Sequence, residues 1–313
     1  MKFYKPKFWD KKEPPSLISL LLFPLSIITI VKNYYENSKI KKNYYDFRTI
    51  CIGNIYIGGT GKTPLVDKIA SNLKKKYKTF IVKKNYSSHI DEKNLLESKH
   101  NVIFEKTREL SLSKAEHQKA EIVIFDDGLQ EKTINYDLKI VCFNSVKLAG
   151  NGFVIPAGPL RETLKSIKTY DIVLINGNFN KDTKNFISKI KNISSNLEVF
   201  TGKYVAKNYS HLKNKKFQIF SGIGNPHTFS DTLKSLKIKF DDHEIFPDHY
   251  MYTDADLERL KRLSKSKGCE LLTTEKDYFR IKKYNLSQLK FLRVELIVPR
   301  IEEIKKKILN IYD

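Results

Sequence analysis

The segment GNIYIGGTGKTP, from Gly53 to Pro64, limits what this chain can fold into more than any other stretch. An apolar run, FRTICIGN, leads into it and a helix-like run, KTPLVDKIASNL, leaves it, so the order is strand, glycine-rich turn, helix. A phosphate-binding loop needs that context. Gly58, Gly59 and Gly61 have no side chain to hold the backbone away from a phosphate chain. With Thr60 and the N–H groups opening the next helix, they can cradle anionic oxygens. Lys62 is placed to neutralise a transferring phosphoryl group, and the Thr63 hydroxyl to meet a magnesium ion. One position departs from the strict pattern: Tyr56 stands where its first glycine belongs. A two-glycine turn directly before Thr60 and Gly61 can make the same concavity without it.

Further short apolar runs follow: TFIVKK, EIVIFDD, LKIVCF and DIVLING, separated by polar or helical stretches. Unbroken β-branched runs of this kind suit a parallel sheet covered on both faces. The expected class is α/β, with a P-loop NTPase-like parallel-sheet domain, a second, smaller α/β domain and an N-terminal hydrophobic, membrane-associated helix. The expected divisions are a membrane-associated segment over 1–35, the P-loop domain over 36–185 and the second domain over 186–300. The junction falls near residues 178 to 200, and a helix over 301–313 packs back on a domain. The three cysteines, Cys51, Cys142 and Cys269, are far apart in apolar surroundings and read as reduced core residues.

The run EIVIFDDGLQ places Asp126 and Asp127 directly after a buried strand, where a second magnesium contact belongs. A turn with an Asx cap would use the same two carboxylates. The loop NGFVIPAGPLRE is rich in Gly and Pro and ends in Arg161 and Glu162. Rigid loops of this sort are often binding elements, and Arg161 can grip a phosphate bidentately. Asp91 and His249 are not singled out by any local pattern.

From Pro14 to Val31 the chain runs eighteen residues without a charge, with basic residues before it and Lys32 after it. No small-residue cleavage site follows, which speaks against a signal peptide. The run is short for a span and contains Pro24, so a helix lying in one leaflet fits better than a crossing. A buried core helix is the remaining alternative. Trp9, Tyr34 and Tyr35 border the run and lysines lie beyond them, suited to anionic headgroups. Lys plus Arg number 57 against 35 Asp plus Glu, a formal net charge of +22, which favours an anionic partner such as a nucleotide, a lipid surface or a nucleic acid.

In their order and spacing, GNIYIGGTGKTP, DDGLQ, GNGFVIPAGPLRE, FSGIGNPHTF, FPDHYMYTDADL and TTEKD resemble the tetraacyldisaccharide 4′-kinases of the lipid A pathway. The likeness runs from the hydrophobic N terminus to about Asp277. It implies transfer of the ATP γ-phosphoryl, with Mg²⁺, to the 4′-hydroxyl of a tetraacylated disaccharide 1-phosphate seated in the membrane. It also implies a monotopic enzyme at the cytoplasmic face of the bacterial inner membrane. The partners expected are that lipid and anionic membrane lipids, with no nucleic acid, and the chain acting as a monomer.

Carried over by motif, Lys62 and Thr63 are the phosphate-loop lysine and threonine, and Asp126 and Asp127 the acidic magnesium pair. Asp91 is the catalytic aspartate and His249 its partner, while Arg161 and Glu162 lie near substrate and metal. Where the family usually has Ser-Arg-Gly-Tyr-Gly, this chain has KKNYSS, Lys83 to Ser88, and retains only Tyr86, on the nucleotide side. The competing reading from the residues alone is a P-loop ATPase acting on a membrane or nucleic-acid partner.

Overall fold

The computed structural model describes residues 5–11, 14–37, 45–84, 95–131, 133–207, 209–248, 250–284, 286 and 289–311. They belong to two compact units. The first comprises Met1–Lys84, His100–Lys203 and Ile297–Asp313, and the second Asn85–Lys99 and Tyr204–Leu296.

The first unit carries helix α1 (Leu17–Asn37), then β1 (Arg48–Gly53), α2 (Lys62–Leu73), β2 (Thr79–Lys84), β3 (Asn101–Glu105), α3 (Arg108–His117) and β4 (Ile122–Asp126). After these come β5 (Leu138–Asn144), β6 (Ile172–Asn176), α4 (Lys181–Ile193) and β7 (Glu198–Lys207), whose residues from Tyr204 on belong to the second unit. The strands lie in the order β3-β2-β4-β1-β5-β6-β7, and each pairs with its neighbour in parallel. Parallel strands with helical crossovers are covered on both faces, so neighbouring positions are buried alike: Ile50, Cys51 and Ile52 are all at 0% exposure. The chain crosses from β4 to β5 on the far side of β1. The crevice at the C-terminal ends of β1 and β4 is where such sheets bind ligands. Burial pushes the Cys51 and Cys142 thiols up to about 12, which keeps them as inert core residues, while Cys269 is only half-buried.

The second unit is another parallel α/β layer. It holds β8 (Lys216–Ser221), α5 (Pro226–Ser235), β9 (Lys239–Ile245), α6 (Asp254–Ser266), β10 (Glu270–Thr274), α7 (Glu275–Ile281) and β11 (Leu289–Ile297), with strand order β11-β10-β8-β9. Asp277, 0% exposed, organises the ends of its central strands. It accepts from Gly222 N–H at 3.1 Å, Tyr252 O–H at 3.0 Å and Arg280 at 2.7 Å. The chain then rejoins the first unit through α8 (Ile301–Leu309), whose Ile304 and Ile308 are buried.

Helix α1 is longer than the apolar run suggests. It continues through Pro24 and past Val31 to Asn37, taking in Tyr34 and Tyr35. Over Leu17–Glu36 it is long and apolar enough to cross a membrane, by length and composition. Leu17, Leu21, Ile28 and Val31 face outward at 61–74% exposure, so the buried-core alternative does not hold for this helix. Its inward stripe is polar. Ser19, Ser26 and Asn33, spaced seven residues apart, all bond to the loop that precedes and includes Arg161. Asn151 Nδ2 donates to Ser19 Oγ at 3.0 Å, and Ser26 Oγ donates to the Val154 carbonyl at 2.7 Å. Ala157 N–H donates to Ser26 Oγ at 3.1 Å, and Asn33 Nδ2 donates to the Arg161 carbonyl at 2.7 Å.

Candidate active site

Gly61 caps α2 at its N terminus with φ 85°, a left-handed conformation that glycine adopts without the Cβ penalty. A Cβ added to Gly59 would meet nothing within 4 Å, so the backbone at the turn is open to approach. The loop is fixed from below. Asn54 Nδ2 donates to the Tyr56 and Gly58 carbonyls at 2.5 and 3.2 Å, and Asn176 Nδ2, at the end of β6, donates to the Thr60 carbonyl at 2.6 Å.

Tyr56 has a structural role that local pattern does not reveal. It is 3% exposed, its backbone bridges Leu160, and its hydroxyl donates to Asp10 at 2.7 Å. Lys5 and Lys147 both pair with Asp10, at 2.5 and 2.6 Å. Trp9, one residue earlier, donates from Nε1 to the Pro156 carbonyl at 3.0 Å. The tyrosine therefore joins the N-terminal segment, the phosphate loop and the Arg161 loop, and leaves the glycine turn itself undisturbed.

Asp126 ends β4 opposite Ile52 of β1 on one side and Lys83 of β2 on the other. Its Oδ2 accepts from the Thr63 hydroxyl at 3.0 Å and from Lys83 Nζ at 2.6 Å. Asp127 follows with φ 64°, a conformation that Asp tolerates better than most residues. Its N–H donates to the Ile52 carbonyl at 2.8 Å, and its carbonyl accepts from Arg108 Nη2. The Asp127 carboxylate lies 3.5 Å from Lys62 Nζ and 3.3 Å from Arg161 Nη1. Burial would raise this carboxyl, but Lys62, Arg161 and Arg108 outweigh it and hold it below the usual carboxylate range.

Arg161 also donates to Gln130 Oε1 at 2.7 Å, and Gln130 in turn donates to the Asn54 carbonyl at 3.1 Å. Glu162 is 3% exposed and accepts from Tyr170 O–H at 3.1 Å and from Gln130 at 3.4 Å. The expected Lys62, Thr63, Asp126, Asp127, Arg161 and Glu162 thus gather at one end of the first unit's sheet. Asn54, Gln130 and Lys83 join them without having been expected. Gln130 was within reach of sequence reasoning, since it ends the DDGLQ motif.

Four buried side-chain oxygens around the loop have no hydrogen-bond partner among the described residues: Asn54 Oδ1, Thr60 Oγ1, Asp126 Oδ1 and Asn176 Oδ1. Buried polar atoms are rarely left so. Asp126 Oδ1 beside the Thr63 hydroxyl is a hard-oxygen set of the kind that suits Mg²⁺ shared with phosphate oxygens. Asp91, Tyr86 and His249 lie outside the described residues.

Residues 18–313 match the family model LpxK, tetraacyldisaccharide-1-P 4′-kinase. The chain is 40% identical over 320 aligned positions to the tetraacyldisaccharide 4′-kinase of Pelagibacter ubique, covering 99% of each. To that of Rickettsia felis it is 33% identical, covering 98% of this chain and 97% of the relative. Among solved structures, the "apo" form LpxK from Aquifex aeolicus in complex with ATP superposes with a TM-score of 0.71. That alignment is 24% identical and covers 95% of this chain and 100% of the other, which establishes a shared fold.

Proposed function

The chain belongs to the tetraacyldisaccharide 4′-kinase family and carries out ATP-dependent phosphorylation of tetraacyldisaccharide 1-phosphate at the 4′ position, and from that premise we propose that the loop after β1, the end of β4 and the Asn151–Glu162 loop form its site of transfer. The observation that carries this reading is the gathering of Lys62 and Arg161 on Asp127, with Thr63 on Asp126 beside them.

Each residue has a separate part. The N–H groups from Gly58 to Thr63 cradle the nucleotide's phosphates, and Lys62 exchanges Asp127 for the γ-phosphoryl as charge moves onto it. Thr63, Asp126 and Asp127 would hold Mg²⁺, which when bound would neutralise the phosphate oxygens. Arg161 grips a phosphate bidentately, and Glu162, fixed by Tyr170, keeps the loop in place. A sugar hydroxyl is a weak nucleophile, so a carboxylate must accept its proton. Asp91 takes that role with His249 as its partner, on the strength of their motifs, and Tyr86 meets the nucleotide. Asp91→Asn should then lower turnover far more than it raises the Michaelis constants, and equal effects on both would move the acceptor elsewhere.

The acyl chains stay in the bilayer, so the outward apolar face of α1 lies in the leaflet, with the basic surface over anionic headgroups. ATP is supplied from the cytosol, which places the enzyme at the cytoplasmic face of the inner membrane. Deleting residues 14–31 should release it from vesicles, and full sedimentation of the deletion at high salt would refute the anchor. The metal assignment is tested by titrating Mg²⁺ against ATP binding in the wild type, Asp126→Asn and Asp127→Asn. At least one variant should need markedly more magnesium, and unchanged titrations in both would return the pair to a structural turn.

A further inference from the structure

Lys83 is an ammonium where the fold has little room for one. It is the fifth residue of β2, 7% exposed, with Lys84 after it facing out. The parallel register places it directly across from Asp126, and its Nζ sits 2.6 Å from Oδ2. Burying an ammonium is costly unless it is closely paired, so this contact has a defined geometry rather than that of a loose surface pair. The same oxygen accepts from Thr63, and Oδ1 is the Asp126 atom left without a partner among the described residues. Lys83 therefore fixes the rotation of the carboxylate and offsets its charge. Lys62 and Arg161 lie on Asp127, so each carboxylate of the pair has a cation against it.

We propose that Lys83 is a further residue of the transfer site, one that offsets the charge of Asp126 and thereby sets how much magnesium the enzyme requires. The proposal rests on the reading that Asp126 serves a metal. A fixed cation against a metal-holding carboxylate weakens the carboxylate's pull on a second cation. It also adds to the field that draws in a polyanionic nucleotide. Replacing it by a neutral side chain should move the two affinities in opposite directions, whereas simple damage to the site would weaken both.

The experiment compares the full-length protein with Lys83→Met and Lys83→Gln, the second keeping a hydrogen-bond donor in case the first does not fold. Thermal melting checks the fold of each. Mn²⁺ binding, followed by electron paramagnetic resonance in the presence of a non-hydrolysable ATP analogue, should tighten about tenfold in the variants, as expected for loss of a neighbouring unit charge. Metal-free binding of the same analogue, followed by calorimetry, should weaken. Mn²⁺ affinity that is unchanged or weaker in the folded variants overturns the role of Lys83. Absence of Mn²⁺ binding in the wild type overturns the metal reading beneath it, so the two failures are distinguishable.

Discussion

Asn33 donates from its side-chain amide to the Arg161 carbonyl at 2.7 Å, which ties the helix with the exposed apolar face to the loop whose guanidinium rests on Asp127. Asn33 is the last of the three polar residues that α1 turns inward. Asn33→Ala removes one hydrogen bond, worth about 1 kcal/mol, and leaves the apolar face intact. Vesicle sedimentation should therefore be unchanged while transfer to lipid falls about fivefold, the factor that this energy corresponds to. Release from vesicles with normal turnover on detergent-dispersed lipid would make Asn33 an anchoring residue instead.

The tyrosine in the phosphate loop gives a second test. Tyr56→Gly restores the strict loop pattern, yet it removes a buried aromatic side chain and its bond to Asp10. The cost should be about 3–5 kcal/mol of stability, with no gain in ATP affinity. Tyr56→Phe keeps the ring and should cost about 1 kcal/mol through the lost hydrogen bond. Chemical denaturation and nucleotide binding check both, and tighter ATP binding by Tyr56→Gly would contradict the structural role.

These residues also mark what was legible beforehand. Lys62, Thr63 and the Asp126–Asp127 pair sit at the ends of strands, where an apolar run, a turn and a polar cluster reveal their setting in one dimension. Lys83 also ends an apolar run, but its meaning depends on β2 lying beside β4 rather than beside β1, a neighbour relation that no local pattern carries. Asp10 meets Tyr56 across 46 residues for the same reason. The stripe of Ser19, Ser26 and Asn33 did leave a signal, since two serines at a seven-residue interval lie on one face of an otherwise apolar helix. What they bond to needed the fold. The extension of α1 through Pro24 shows that one lost backbone hydrogen bond does not end a helix whose other positions favour it.

The second unit offers a pH test apart from catalysis. Burial, with His227 nearby, pushes the His243 imidazole down to about 4, and its Nε2 lies 2.8 Å from Ser221 Oγ. The folded form holds this group neutral, so as pH falls below about 6.5 the unfolded chain takes up a proton that the folded chain does not. Stability should fall between about pH 6.5 and 4 for this reason. The loss should be roughly 1 kcal/mol once the half-exposure of the ring is allowed for. His243→Gln should flatten that part of the stability profile, and a slope unchanged in the variant would assign it to other groups.

The most direct measurement follows the γ-phosphate of labelled ATP in detergent micelles containing purified tetraacyldisaccharide 1-phosphate, with the wild type and Lys62→Ala side by side. Lys62 opens α2 beside Asp127 and no core depends on it, so the variant should melt like the wild type. The wild type should place the label on the 4′ position, with little released to water, and Lys62→Ala should lower that transfer by about a hundredfold or more. Label released to water regardless of lipid, or near-normal transfer by Lys62→Ala at saturating ATP, would contradict the account.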